Sequence, residues 1–93
     1  MQLKGTLKVV NKKVQVSEKF KNRKIVITID EDTKYPQHIE VQLTQDKCSL
    51  VDNMLVGDMV TAECNLRGRE YTTQQGEVKY FNTIECWKLV SDF

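Results

Sequence analysis

The chain has 93 residues, 29% of them charged and 40% hydrophobic, with a formal net charge of +1. That balance fits one modest globular core and argues against disorder, and no apolar run approaches the length of a membrane-spanning helix. The opening MQLKGTLKVV lacks the long apolar stretch and small-residue cleavage site of a signal peptide, so a cytoplasmic location is expected.

Residues 2–16 read as a long first strand. Leu3, Gly5, Leu7 and Val9 share one face by the two-residue period, and Gly5 marks a bend or a close backbone crossing. The pattern slips at Val9-Val10 and resumes at Val14 and Val16 on the other parity, which a bulge near Val10–Lys12 would explain. Ser17–Lys24 reads as a polar, basic loop. KIVITID, residues 24–30, is a second strand with Ile25, Ile27 and Ile29 on one side, and a polar turn follows over 31–34. Tyr35-Pro36 holds the approach to a third strand extended. There Ile39, Val41 and Leu43 alternate with polar residues.

DKCSLVDNM, residues 46–54, is the one helix candidate, with Asp46 as its cap, Leu50 and Met54 facing the core, and Gly57 as a stop. Met59–Leu66 forms a fourth strand with Val60, Ala62, Cys64 and Leu66 inward. Arg67–Glu77 reads as a loop and 78–90 as a fifth strand. Three strands, a short helix and two more strands give an all-β prediction: a five-stranded antiparallel oligonucleotide-binding (OB) barrel with the helix plugging one end. Residues 1–90 are expected to form a single domain, with a short tail over 91–93.

Little in this chain supports catalysis. Cys48, Cys64 and Cys86 are odd in number and show no CxxC spacing, so neither zinc nor a disulfide framework is expected. Cys64 and Cys86 fit as small core residues. His38 is the lone histidine, placed at a strand start. With no glycine-rich phosphate loop and no thiol–histidine pair, the chain is not expected to be an enzyme or to hold a cofactor or metal.

Charge is distributed unevenly. Residues 1–24 hold eight basic side chains (Lys4, Lys8, Lys12, Lys13, Lys19, Lys21, Arg23 and Lys24) against the single acid Glu18, whereas the remainder holds six basic and twelve acidic residues. Such a segment suits an anionic partner, and it equally suits a lysine-rich edge that resists aggregation. NLRGREYTTQQGEVKYFNTIECWK, residues 65–88, adds a second cluster. Arg69 and Tyr71 stand at the loop that flanks the binding cleft of an OB barrel, Arg67 shares strand parity with Arg69, Tyr80 can sit across the hairpin, and Tyr35 stands at another loop mouth. Arginine and tyrosine there can meet phosphate and stack on bases, although Glu70 and Glu77 oppose a simple phosphate track. In the fifth strand Ile84 and Cys86 fit the interior, leaving Phe81, Thr83, Glu85, Trp87 and Leu89 outward. Phe81 and Trp87 could then stack on bases or pack in a subunit interface; a parity-reversing bulge would return them to the core.

The run from Ile39 to Leu89 resembles the second half of a bacterial single-stranded DNA-binding protein. The matching features are the plug helix, Gly57-Asp58 before the fourth strand, Leu66-Arg67-Gly68-Arg69 with Tyr71, and the loop glycine Gly76. The chain as a whole, Met1 to Lys88, is similar to a small bacterial and phage-borne family of such barrels. The matching motifs are M-x-L-x-G at Met1–Gly5, Tyr35-Pro36, and F-N-x-I-x-x-W-K at Phe81–Lys88. The resemblance implies non-catalytic binding of single-stranded DNA, or RNA, with little sequence preference, in a homo-oligomer for which a dimer is the simplest form. The chain departs from the larger family in lacking a long acidic tail, retaining only Asp92-Phe93, and in having no rings in the second strand. The competing expectation is a structural or protein-interaction barrel that binds no nucleic acid.

Overall fold

The computed structural model describes residues 1–30 and 32–91. Six strands, β1 (Gln2–Val10), β2 (Val14–Ser17), β3 (Phe20–Ile29), β4 (Gln37–Thr44), β5 (Met59–Thr72) and β6 (Val78–Ser91), form one sheet; a 3-10 helix, Gln45–Val51, follows β4. The sheet order is β1-β5-β6-β4-β3-β2, and an additional β1–β3 pairing closes five of the strands into a ring. This is the expected OB barrel, with β2 appended to β3 outside the ring. One contact in the ring departs from the antiparallel expectation: β4 meets β6 in parallel, at Gln42 and Glu85. Both strands enter the ring from the same end, so antiparallel pairing is not open to them.

Gly5 makes the closure possible. β1 pairs with β5 over Gln2–Thr6 and with β3 over Thr6–Val10, changing partners at the glycine. A β-carbon at Gly5 would collide with the Thr28 carbonyl oxygen and lie 2.9 Å from its carbon and 3.0 Å from the Ile27 side chain. The two backbones can cross only without it.

The core is Leu7, Ile25, Ile27, Val41, Leu43, Cys48, Val51, Val60, Ala62, Cys64, Cys86 and Leu89. Two irregularities decide which residues reach it. The β1–β3 register slips between Leu7 and Val9, earlier than the 10–12 region expected from sequence, and turns Val9 outward. The β5–β6 register slips where Glu63 faces Lys88 and Cys64 faces Cys86, making Trp87 the extra residue. That bulge leaves Trp87 outside at 45% exposure and reverses the parity beyond it, so Leu89 is buried rather than outward.

Three further expectations change. The long first strand is two strands, because the chain breaks at residues 11–13 and turns back at Glu18-Lys19; most of the expected basic loop is β2–β3 hairpin. The expected 67–77 loop is mostly strand: β5 and β6 stay paired from Leu66–Ile84 out to Thr72–Val78, as a two-stranded arm. Leu66 lies on that arm at 65% exposure and is not a core residue. The short helix is 3-10 and ends before 54, because bonds such as Asp52 N–H to Ser49 O and Met54 N–H to Val51 O reach back three residues. A three-residue turn puts Cys48 and Val51 on one side, and these two, rather than Leu50 and Met54, plug the barrel. Ser91 belongs to β6, while the Asp92-Phe93 end lies outside the described residues. No helix among the described residues is long and apolar enough to cross a membrane.

Candidate nucleic-acid interface

The arm arises from alternation carried past the barrel rim. Arg69 faces Phe81, Arg67 faces Thr83 and Tyr71 faces Lys79 across it. These residues share one face, continuous with the outside of the barrel. Residues 73–77 close the tip: the Thr73 amide donates to Glu77 O at 2.8 Å, and Gly76 takes a φ of 84° that favours glycine.

Where the arm leaves the barrel, its outer face and the β3–β4 hairpin bound a cleft of about 430 Å³. Arg67, Arg69 and Phe81 line one wall, Phe20 and Asn22 the other, with Gln42, Thr83 and Glu85 also lining it. Phe81 is 50% exposed and Phe20 partly buried, so a ring stands available on each side. Two guanidinium groups and one carboxylate line the same space, and no ion pair under 4 Å ties either arginine to an acid among the described residues. Such a cleft can take a flat ring between its walls and an anion at its rim.

The sequence-predicted site residues divide into groups. Arg67, Arg69 and Phe81 meet in the cleft, and Tyr71 extends the same face toward the tip at 56% exposure. Tyr80 does not join them. It pairs with Glu70 on the opposite face of the arm, 72% exposed. Trp87 is on the outer barrel surface away from the cleft lining. Tyr35, with the Lys34 ammonium 5.8 Å from its ring centre, sits on the β3–β4 turn, at the other end of that hairpin from the β4–β6 contact.

The basic residues are similarly dispersed. Lys24 and Lys12 border a neighbouring recess with Asn22, Val14 and Val16, continuing the cleft along β3. Lys13 is exposed in the β1–β2 break, and Lys19 and Lys21 belong to the β2–β3 hairpin. Lys4 stands beside Thr61 and Lys88 on β1–β5–β6, and Lys8 beside Pro36 and His38. Arg23 is committed elsewhere. Its guanidinium donates to Asn11 O at 2.8 Å, Cys48 O at 3.2 Å and the Asp52 carboxylate at 2.7 Å, with the side chain 16% exposed. It clamps the 3-10 helix to β3 and to the β1–β2 break.

Phe20 and Lys79 are the cleft-side residues that sequence reasoning missed. Alternation through Phe20, Asn22 and Lys24 was the signal for the first, concealed once 17–24 is taken as loop. Lys79 emerges only when the arm is drawn as paired strands. The cysteines are all buried and free. Cys64 and Cys86 face each other at the arm's root, and the Cys86 thiol donates to Lys88 O at 3.3 Å; burial raises both thiol pKa values, that of Cys86 to about 12.

The family model described as "Domain of unknown function (DUF3127)" matches residues 2–90. The chain belongs to the DUF3127 family. No curated protein matches it in sequence. Solved structures share its fold. The mitochondrial single-stranded DNA binding protein Rim1 of S. cerevisiae superposes with a TM-score of 0.70 at 10% identity, over 98% of this chain and 91% of that one. A small single-stranded DNA-binding protein from Streptomyces coelicolor gives 0.62 at 13% identity, over 99% and 92%. At these identities the likeness is one of fold, and the DUF3127 chain's own cleft carries the case for function.

Proposed function

We propose that this protein binds single-stranded DNA without chemistry and with little sequence preference, along the outer face of the arm and the cleft beneath it. The observation that carries this is the meeting of Arg67, Arg69, Phe81 and Phe20 around one open cleft. Aromatic faces accept any base, each stack contributing about 1–3 kcal/mol, and guanidinium groups hold the phosphates between bases. Lys24 and Lys12 continue the positive track along β3. The dispersed lysines, Lys4, Lys8, Lys13, Lys19 and Lys21, contribute long-range attraction and counterion release rather than fixed contacts. The shared fold with single-stranded DNA-binding proteins supports the same reading. A duplex is rigid and hides its base faces, so it gains only the electrostatic part.

Fluorescence anisotropy of labelled oligo-dT, matched duplex and oligo-U, titrated with the protein at several salt concentrations, tests the proposal. Tighter binding of the single strand than of the duplex, weakening linearly on a log–log salt plot, is expected. The oligo-U arm reports whether RNA is accepted. Failure of folded protein to bind any strand at low salt would leave the protein-interaction barrel as the function.

A further inference from the structure

The arm has a second face that the cleft does not use. Leu66, Val78 and Tyr80 stand on it at 65, 47 and 72% exposure. Gly68 pairs with Asn82 at its middle, and Ile84 lies half-buried at its base. Glu70 is its one charged residue, so it offers nothing to a phosphate chain. A two-stranded hairpin with neither face covered is marginal in water. Yet this one projects far enough to give the molecule a radius of gyration of 14.8 Å and a length of 49 Å. A compact chain of this size would have a radius of about 12 Å.

We propose that this second face docks a second copy of the chain, the two arms stacked face to face and antiparallel about a twofold axis passing Gly68 and Asn82. Tip then lies over base. Tyr80 of each copy covers the other's Ile84, beside a recess of about 360 Å³ where Leu66, Ile84 and Val41 meet the polar side chains of Lys24, Glu40 and Gln42. Glu70 lies over Leu66 and reaches Lys24, which lines the same recess and whose own partner Glu40 is 3.9 Å away and largely exposed. The face is thus complementary to itself in charge and in apolar surface, as an isologous contact requires. A ribbon of two strands and roughly seven residues covers about 24 by 10 Å, less than the ~800 Å² per partner of a standard stable interface. The dimer is therefore weak and concentration-dependent. Lys24 is the one residue that the docked face shares with the DNA track; Arg67, Arg69 and Phe81 point away from it, and docking measured without DNA does not depend on the DNA-binding proposal.

Sedimentation velocity on the full chain, without DNA, from about 10 μM to about 1 mM covers the range of such an interface. The mass should rise from 10.8 kDa toward twice that value. Tyr80→Ser and Leu66→Ser should each raise the dimer dissociation constant at least about tenfold without lowering the unfolding temperature, since both side chains are exposed. Phe81→Ala, on the other face, should leave dimerisation intact. Glu70→Lys should weaken the dimer, and adding Lys24→Glu should restore it. A chain that stays monomeric throughout, a dimer untouched by Tyr80→Ser and Leu66→Ser, or a charge swap without rescue overturns the proposal.

Discussion

Arg69 and Phe81 are direct cross-strand partners in the β5–β6 arm, and both line the cleft opposite Phe20 and Asn22. A cation and a ring at one register position let a nucleotide be held by its phosphate and its base together. Phe81→Ala should weaken oligo-dT binding by about 1–3 kcal/mol with the salt slope unchanged. Arg69→Ala should weaken it and also reduce the slope by about one. Tyr80→Ala, one position along but on the other face, should leave affinity per protomer unchanged at low protein concentration. Anisotropy titrations of the three variants separate these outcomes, and equal losses at Tyr80 and Phe81 would contradict the assigned faces.

How far the sequence revealed this arrangement depends on local parity. The isoleucines of β3 and the alternation of β4 gave their inward faces correctly, because each strand stays regular over its buried span. Single-residue bulges were harder to read. Neither the slip after Leu7 nor the extra residue at Trp87 has a local signal stronger than the alternation it interrupts, and each reverses the residues beyond it. The arm was hidden for another reason. Arg67–Thr72 is polar on both faces, as a loop would be, and only pairing with β6 makes it strand. Arg67, Arg69 and Phe81 were nonetheless visible as candidates, whereas Phe20 was not, because its role depends on the β2–β3 turn.

Gly5 predicts a stability effect. Gly5→Ala drives a methyl group into the Thr28 backbone at the point where β1 changes partners. Backbone cannot yield as a side-chain tip can, so a loss of about 1–3 kcal/mol is expected. For a chain of this length that lowers the unfolding midpoint by roughly 4–8 °C per kcal/mol. Gly68→Ala provides the contrast, since a β-carbon there meets only Asn82 Oδ1 at 3.5 Å. It should unfold at or slightly above the wild-type temperature. Calorimetry of the two variants checks the difference, and a tolerated Gly5→Ala would contradict the close crossing.

Arg23 belongs to the basic N-terminal segment by sequence and to the barrel's end by structure. Removing its guanidinium leaves Asn11 O, Cys48 O and the Asp52 carboxylate without their donor. Arg23→Ala should cost about 1–3 kcal/mol of stability, as lost hydrogen bonds to a charged group do. Arg23→Lys should recover only part, because one ammonium cannot reach three acceptors in a planar fork. Oligo-dT affinity measured well below the unfolding temperature should be little changed by either substitution. A large loss of affinity in still-folded Arg23→Lys would return this residue to the DNA-contacting set.

Cys64 and Cys86 extend the prediction to pH. Burial is the largest influence on both thiols and disfavours their thiolates, and the pKa of Cys86 rises from 9.0 to about 12. At pH 8 both should resist a thiol-directed reagent in the native chain and react at once in denaturant. The sign of the stability effect follows from proton counts. Above pH 9 the unfolded chain releases the Cys86 proton while the folded chain keeps it, so the unfolded state binds fewer protons and stability falls with rising pH. The contribution of the neutral thiol is fully present below pH 9 and is lost progressively as pH approaches 12. Denaturant unfolding of wild type and Cys86→Ala at successive pH values isolates the effect. The wild-type midpoint should fall more steeply above pH 9 than that of the variant, whose site has no proton to lose. Parallel slopes, or rapid native labelling of both strand cysteines, would mean that the arm's root opens to solvent and that the Cys64–Cys86 contact is not a closed part of the core.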